Sequence, residues 1–345
     1  MLIGVWNYYE TLHLNNFLLS ADTSNVLGED ALQSFYEFTV SLDISKYQFK
    51  ILDNNLSYKN YDKFIFFNYP KLNNKIVIDA LNSKKSKYLF NFECPIIYPQ
   101  TWNKEIYDKF DKIFTWNDDL IDNKKFIKIN HPSFSKNRLK NLPRNHRDKL
   151  SVIVVSNKKS NHINDLYHKR LDVIKFYEQN APNDLDFYGY GWSNFLFSGN
   201  KFLQGLNQIN FLTKLLAKNF KIYKGAYYND KINLLKNYKF SFCIENATGY
   251  NGYITEKIFH SFFSMTVPIY LGCPNITKYI PSTCFVDLRN FKNINELHLY
   301  IKYMSDQEYY KYLSEIENFL FSEKFRIFSN EFYIKTLKKN ILDIN

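Results

Sequence analysis

The stretch ENATGYNGYITEKIF, residues 245–259, concentrates chemistry in a small space. It holds two of the chain's ten glycines, Gly249 and Gly252, and then Thr255, Glu256 and Lys257 ahead of an apolar run. Glycines there permit tight turns or close approach of the backbone to a ligand. Thr255 suits the N-cap of a helix over 256–264. The free N–H groups and positive dipole end of such a helix attract anions, and Lys257 adds a full charge beside them. Together they suit a pyrophosphate. Glu256 could accept two hydrogen bonds from a ribose diol, as acidic residues do in dinucleotide sites. Taken alone, Thr-Glu-Lys also fits an ordinary strand–loop–helix, with Glu256 compensating the dipole and Lys257 solvated.

These residues need a strand before them and a helix after them, and the pattern supplies both. Short apolar runs at 2–6, 63–68, 87–92 and 112–116 read as strands, with helix-like segments at 29–42 and 71–83 between them. The alternation restarts with SVIVVSN (151–157), a buried parallel-type strand. It continues with a helix at 163–180 and strands at 185–191, 240–246, 267–272 and 284–288. Helical pieces fall at 230–238, 255–264 and 293–304, and the chain reads as helix from 305 onward. Strand–helix alternation implies α/β units with mainly parallel sheets. The restart implies two of them: an acceptor-side unit over 1–140, a donor unit over 149–304, and C-terminal helices over 305–345 that pack back on the first. The polar, aperiodic stretch 137–148 is the expected linker. Ligands of open α/β sheets bind outside the carboxyl ends of the strands.

Composition excludes more than it assigns. The 345 residues are 45% hydrophobic, enough for two cores, and carry a formal charge of +11. A basic balance suits an anionic partner, yet a chain so rich in Lys, Asn, Ile, Phe and Tyr acquires that charge from compositional bias alone. Cys94, Cys243, Cys273 and Cys284 form no C-x-x-C pair, so reduced thiols and a cytoplasmic location are expected. The opening MLIGVWNYYE reads as a first strand rather than a leader, and no apolar run is long enough to span a bilayer.

Beyond residue 259 the chain continues into VPIYLGCPNITKYIPSTCFVDL. Over about 240–291 the linked motifs F-x-x-x-x-E-N, Y-I-T-E-K-I, VPIYLGCPN and Y-I-P-x-x-x-F resemble glycosyltransferase family 10, the α1,3-fucosyltransferases of bacterial type. A looser likeness covers 88–129 and 154–192, and does not extend to 1–62 or 193–222. The resemblance implies a GT-B fold: two Rossmann-like domains facing across a cleft, with GDP-fucose in the C-terminal one. It implies that Glu256 binds the ribose and Lys257 the diphosphate, and that Asn246 and Tyr253 line the donor pocket. It also implies that Arg170, on the helix after SVIVVSN, is a second phosphate ligand. A guanidinium forks well onto phosphate oxygens. Glu93, in NFECPII, resembles the family's general base. An inverting transfer needs one base at the acceptor hydroxyl, and the cations can stabilise the departing GDP, so no metal is called for.

Other signals are set aside. DLD (184–186) matches a metal-binding spacing but opens a strand; His162 and His168 read as surface residues, and WNDDLID (116–122) as a capped turn. Aromatics interleaved with Lys could stack nucleic-acid bases, but they fall in strand positions, so no nucleic-acid partner is expected. The basic tail after 323 could lie peripherally on the inner face of a membrane; packing on the first domain is favoured. The expected partners are a GDP-sugar and an acceptor glycan. Two alternatives stay open: the same fold with another GDP-sugar, and a non-catalytic glycan- or nucleic-acid-binding protein on this scaffold.

Overall fold

The computed structural model describes all residues except 10, 14–18, 20–32, 54, 132–138, 141, 144–145, 198–200, 228–229 and 345. The chain forms two compact units. One comprises Met1–Ser135, Asn251–Tyr253 and Arg326–Asn345; the other comprises Lys136–Tyr250 and Ile254–Phe325. Part of the expected linker 137–148, and residues 29–32 of the expected first helix, lie outside the described residues.

The first unit is built on six strands: β1 (Leu2–Asn7), β2 (Gln48–Ile51), β3 (Lys63–Phe67), β4 (Ser86–Asn91), β5 (Lys112–Thr115) and β6 (Phe126–Lys128). They are all parallel, in the order β2-β1-β3-β4-β5-β6. Side chains alternate between the two faces of a strand, and here both faces are buried. Ile65 and Phe67 join a core with Phe35 and Phe38 of helix α1 (Gln33–Val40). Phe64 and Phe66 join the opposite core with Ile76, Val77 and Leu81 of α2 (Lys75–Asn82).

The second unit carries β7 (Lys149–Val154), β8 (Leu185–Tyr188), β9 (Tyr238–Ile244), β10 (Val267–Leu271) and β11 (Val286–Asp287). The order is β11-β10-β9-β7-β8, again all parallel. From β7 the chain passes through α3 (Tyr167–Asn180) to β8 on one side. It then passes through α4 (Lys201–Gly205), α5 (Asn210–Leu215) and α6 (Lys231–Leu235) to β9 on the other side of β7. The winding direction therefore switches between β7 and β9, the position at which open α/β sheets form a ligand crevice. Helix α7 (Glu256–Phe263) follows β9 and buries Ile258, Phe259, Phe262 and Phe263. Ser241, Cys243 and Ser261 meet beneath it through small polar contacts, Ser241 Oγ to Ser261 Oγ at 2.6 Å.

The C-terminal segment, expected as one block, is divided. After α8 (Ile294–Lys302), α9 (Asp306–Leu320) stays with the second unit, where Phe319 packs 5.8 Å from Phe262. The last helix, α10 (Asn330–Ile341), belongs to the first unit and buries Tyr333, Leu337 and Ile341 in the core beside α1. The reason is local: each helix follows the sheet that buries its own apolar stripe. Among the described residues no helix is long and apolar enough to cross a membrane.

Candidate active site

The loop after β9 departs from an ordinary strand end because an acid lies under it. Glu245 follows Ile244 directly and is fully buried. Its N–H continues the ladder to Leu271 O at 2.8 Å. Its carboxylate accepts the N–H of Thr255 at 2.9 Å, the Thr255 hydroxyl at 2.9 and 2.8 Å, and Lys257 Nζ at 3.0 Å. A buried carboxylate survives only when paired and hydrogen-bonded, and here four contacts do both. Thr255 does occupy the N-cap position, but its side chain makes no capping bond, because its hydroxyl is drawn to the charged acceptor instead. The expected cap is thus corrected to a strut between strand and helix.

Lys257 is fixed by that strut. Its ammonium also donates to Thr255 Oγ1 at 3.0 Å and lies 3.8 Å from a Glu256 oxygen. A quarter of its side chain remains exposed. Burial pushes its pKa down, but the Glu245 and Glu256 carboxylates outweigh this, and the net shift is upward. The lysine therefore keeps its charge in the first turn of α7, where the dipole also favours anions.

Arg170 joins the same place from α3. It is buried, and its Nε and Nη2 donate to Ile244 O at 3.2 and 2.7 Å, while Nη2 also reaches Asn246 Oδ1 at 2.8 Å. Its guanidinium lies over Tyr167, 5.0 Å from the ring centre. Backbone bonds between Asn164–Leu166 and Asn246–Thr248 tie the loop before α3 to the loop after β9. Of the six residues singled out from the sequence, the structure thus gathers Arg170, Asn246, Glu256 and Lys257 at the switch point of the second unit.

Tyr253 and Glu93 lie in the first unit. Tyr253 is buried with its ring 4.7 Å from Trp116. Gly252 before it has φ +81°, and a Cβ there would come within 2.3 Å of Trp116 O. Gly249 has φ +78°. Both glycines are therefore demanded by the backbone path. Glu93 follows β4, with its N–H on Asn68 Oδ1 at 3.3 Å and its carbonyl accepting Trp102 Nε1 at 2.8 Å. Asn68, buried, adopts φ 57°, a left-handed conformation that Asn tolerates better than most residues. Tyr8, just past β1, donates its hydroxyl to Glu93 Oε1. Burial first, and then the Glu93 charge, raise the Tyr8 phenol far above its usual range, so it stays a donor.

Sequence reasoning missed Glu245 and Tyr8. Glu245 carried a signal, an acid ending an apolar strand with Thr and Lys ten and twelve residues on. Tyr8 carried none, because its partner is 85 positions away. The discounted signals have other partners. Asp184 pairs with Lys302 at 2.8 Å, and Asp186 with Lys149 and the Tyr238 hydroxyl at 2.7 Å each. Asn117 caps the turn Asp118–Leu120.

Gly272 shows how closely the strut is packed. A Cβ there would lie 2.5 Å from Glu245 Cγ and 2.9 Å from the Tyr270 hydroxyl. Gly272→Ala is therefore expected to destabilise the fold by about 1–3 kcal/mol and to weaken anion binding at the first turn of α7, read by denaturant unfolding and by pyrophosphate titration. Wild-type values for both would contradict this packing role.

Comparison with known proteins bears out the resemblance read from the motifs. The family model "Glycosyltransferase family 10 (fucosyltransferase) C-term" matches residues 144–332. The alpha-(1,3)-fucosyltransferase FucT of Helicobacter pylori is 45% identical over 80 residues, 23% of this chain and 16% of that protein. An alpha-(1,4)-fucosyltransferase of Arabidopsis thaliana is 38% identical over 72 residues, 21% of this chain and 18% of that one. The chain thus matches under a fifth of the length of these relatives. The fold is shared more widely. An alpha1,3-fucosyltransferase crystallised with GDP superposes with TM-score 0.55 at 17% identity, over 98% of this chain and 89% of that one. A T4 phage BGT structure with UDP and Mn2+ superposes with TM-score 0.52 at 12% identity, over 98% and 99%. The architecture is GT-B, as expected.

Proposed function

The chain belongs to glycosyltransferase family 10, the fucosyltransferases, and from that premise we propose that it transfers L-fucose from GDP-fucose, with inversion, to a hydroxyl of an acceptor glycan. For the acceptor we propose the 3-hydroxyl of N-acetylglucosamine, in line with the alpha-(1,3) linkage in the name of the H. pylori relative. One observation carries the reading: at the β7/β9 switch point, the buried Glu245 strut holds Lys257 charged in the first turn of α7, next to Arg170 and Asn246.

In this reading the diphosphate rests against Lys257 and the N-terminus of α7, while Arg170 contributes positive potential from below. Glu256 takes the ribose diol. Preorganised cations stabilise the charge that gathers on GDP as the sugar–phosphate bond breaks, so the reaction needs no metal. Glu93, oriented by Tyr8, takes the proton of the attacking hydroxyl. Tyr253 shapes the donor loop through its packing on Trp116. No disulfide joins the buried Cys94, Cys243, Cys273 and Cys284, and the cytoplasm is the location we propose.

The test is release of GDP from GDP-fucose, with and without an N-acetylglucosamine-terminated acceptor, alongside other GDP-sugars. Acceptor-stimulated GDP release from GDP-fucose alone supports the reading. Turnover confined to another GDP-sugar reassigns the donor, and no turnover with any donor rejects the enzymatic reading.

A further inference from the structure

One part of the second unit turns a cluster of apolar side chains toward solvent. In the lobe after β8, Asn207 bonds the backbone of Phe197 in both directions at 2.9 Å. Thr213 is buried and its carbonyl accepts the Phe195 N–H at 2.7 Å. Around them Phe202, Leu203, Ile209, Phe211, Leu215 and Leu216 face solvent, with Phe202 77%, Phe211 78% and Leu215 68% exposed. Single exposed apolar residues are ordinary, but a cluster on two adjoining short helices is not.

The charge of the same segment is one-sided. From Phe187 to Asn229 there is no Asp or Glu, and there are five lysines. Lys214, Lys218 and Lys221 are exposed, while Lys224 is engaged with Asp186 at 3.5 Å. Apolar side chains to enter an acyl boundary, flanked by lysines to meet acidic headgroups, are what a membrane-surface element needs. The lobe is also placed to serve the site. Asn157 bonds the carbonyls of Gly191 and Asn194, and Lys159 bonds that of Leu196 at 2.7 Å. It therefore grows from the carboxyl ends of β7 and β8, the sheet edge that also bears Glu245 after β9.

Resting on the transferase reading above, we propose that this lobe, through residues 202–221, docks the protein on an anionic lipid bilayer, so that the edge of the donor sheet faces membrane-borne acceptor. The tail suspected from sequence is a poorer candidate, because α10 buries its apolar residues in the first unit.

The experiment is flotation of the full chain with vesicles of phosphatidylcholine alone, or with about 30% phosphatidylglycerol. The expected result is flotation only with the anionic vesicles, reversed by high salt. Partitioning should fall at least about tenfold in Phe202→Ser/Phe211→Ser/Leu215→Ser and fall clearly in Lys214→Glu/Lys218→Glu, with thermal unfolding and transfer to a soluble acceptor unchanged. In a Phe211→Trp protein, the fluorescence of the introduced indole should be quenched by brominated acyl chains. No flotation of the wild type, equal flotation of the triple-serine variant, or an unquenched indole in Phe211→Trp would each overturn the proposal. So would a wild-type dimer that the triple-serine change converts to monomer without altering flotation.

Discussion

Glu93→Gln is expected to bind GDP as the wild type does and to transfer sugar about 10²–10⁴-fold more slowly. The amide keeps the shape of the carboxylate, and its oxygen can still accept the Tyr8 hydroxyl. The backbone anchors of residue 93, on Asn68 and Trp102, are untouched. What is lost is the ability to take a proton. Tyr8 is a poor substitute, because burial, the largest cause of its raised pKa, keeps the phenol protonated even without the Glu93 charge. The check is kcat at saturating donor beside a GDP titration. A variant keeping more than about a tenth of wild-type kcat, or losing GDP affinity in step with rate, would remove Glu93 from the role of base.

Glu245→Gln should have the second largest effect, on stability and donor binding together. Breaking a buried ion pair from one side costs about 3–5 kcal/mol when the partner is left in the interior. The low end, about 3 kcal/mol, is expected here because Lys257 keeps a quarter of its side chain in water. The second consequence is electrostatic. In the wild type, burial pulls the Lys257 pKa down and the two carboxylates lift it back. Without Glu245 the downward pull gains, so the lysine loses its proton at lower pH than in the wild type. GDP affinity of the variant should therefore fall as pH rises through a range in which wild-type affinity stays flat. Thermal unfolding and GDP titrations across that range are the measurements. Unchanged stability with superimposable pH profiles would show that the strut does not hold the lysine.

Much of the fold was legible because buried parallel strands announce themselves. KFIFF and SVIVV are apolar on both faces, as sheets covered on both sides require. The edge strands β2 and β6 escaped for the converse reason. QFKI and FIK are short and partly exposed, so neither a continuous run nor a clean alternation marks them. Helices α4 and α5 escaped because their apolar residues face out, which breaks the usual stripe. At the site, Glu256, Lys257 and Asn246 could be placed because the motif, the strand end and the helix start coincide within a dozen residues. Tyr253 shows where linear proximity misleads. It lies two residues from the cap of α7, yet the chain carries Asn251–Tyr253 into the first unit. Glu245 could have been recognised by asking what neutralises an acid at the end of an apolar strand. Tyr8 could not, since tertiary pairing alone brings it to Glu93.

The account rests most heavily on the diphosphate being held by the charged first turn of α7. Calorimetric titration of GDP and of guanosine, into the wild type and into Lys257→Met, tests this directly. The wild type should prefer GDP to guanosine by at least about 100-fold, in keeping with charge-assisted phosphate contacts. Most of that preference should vanish in Lys257→Met, with guanosine affinity little changed. The same preference in both proteins would mean that the phosphates bind elsewhere, and the assignment of this site would fall.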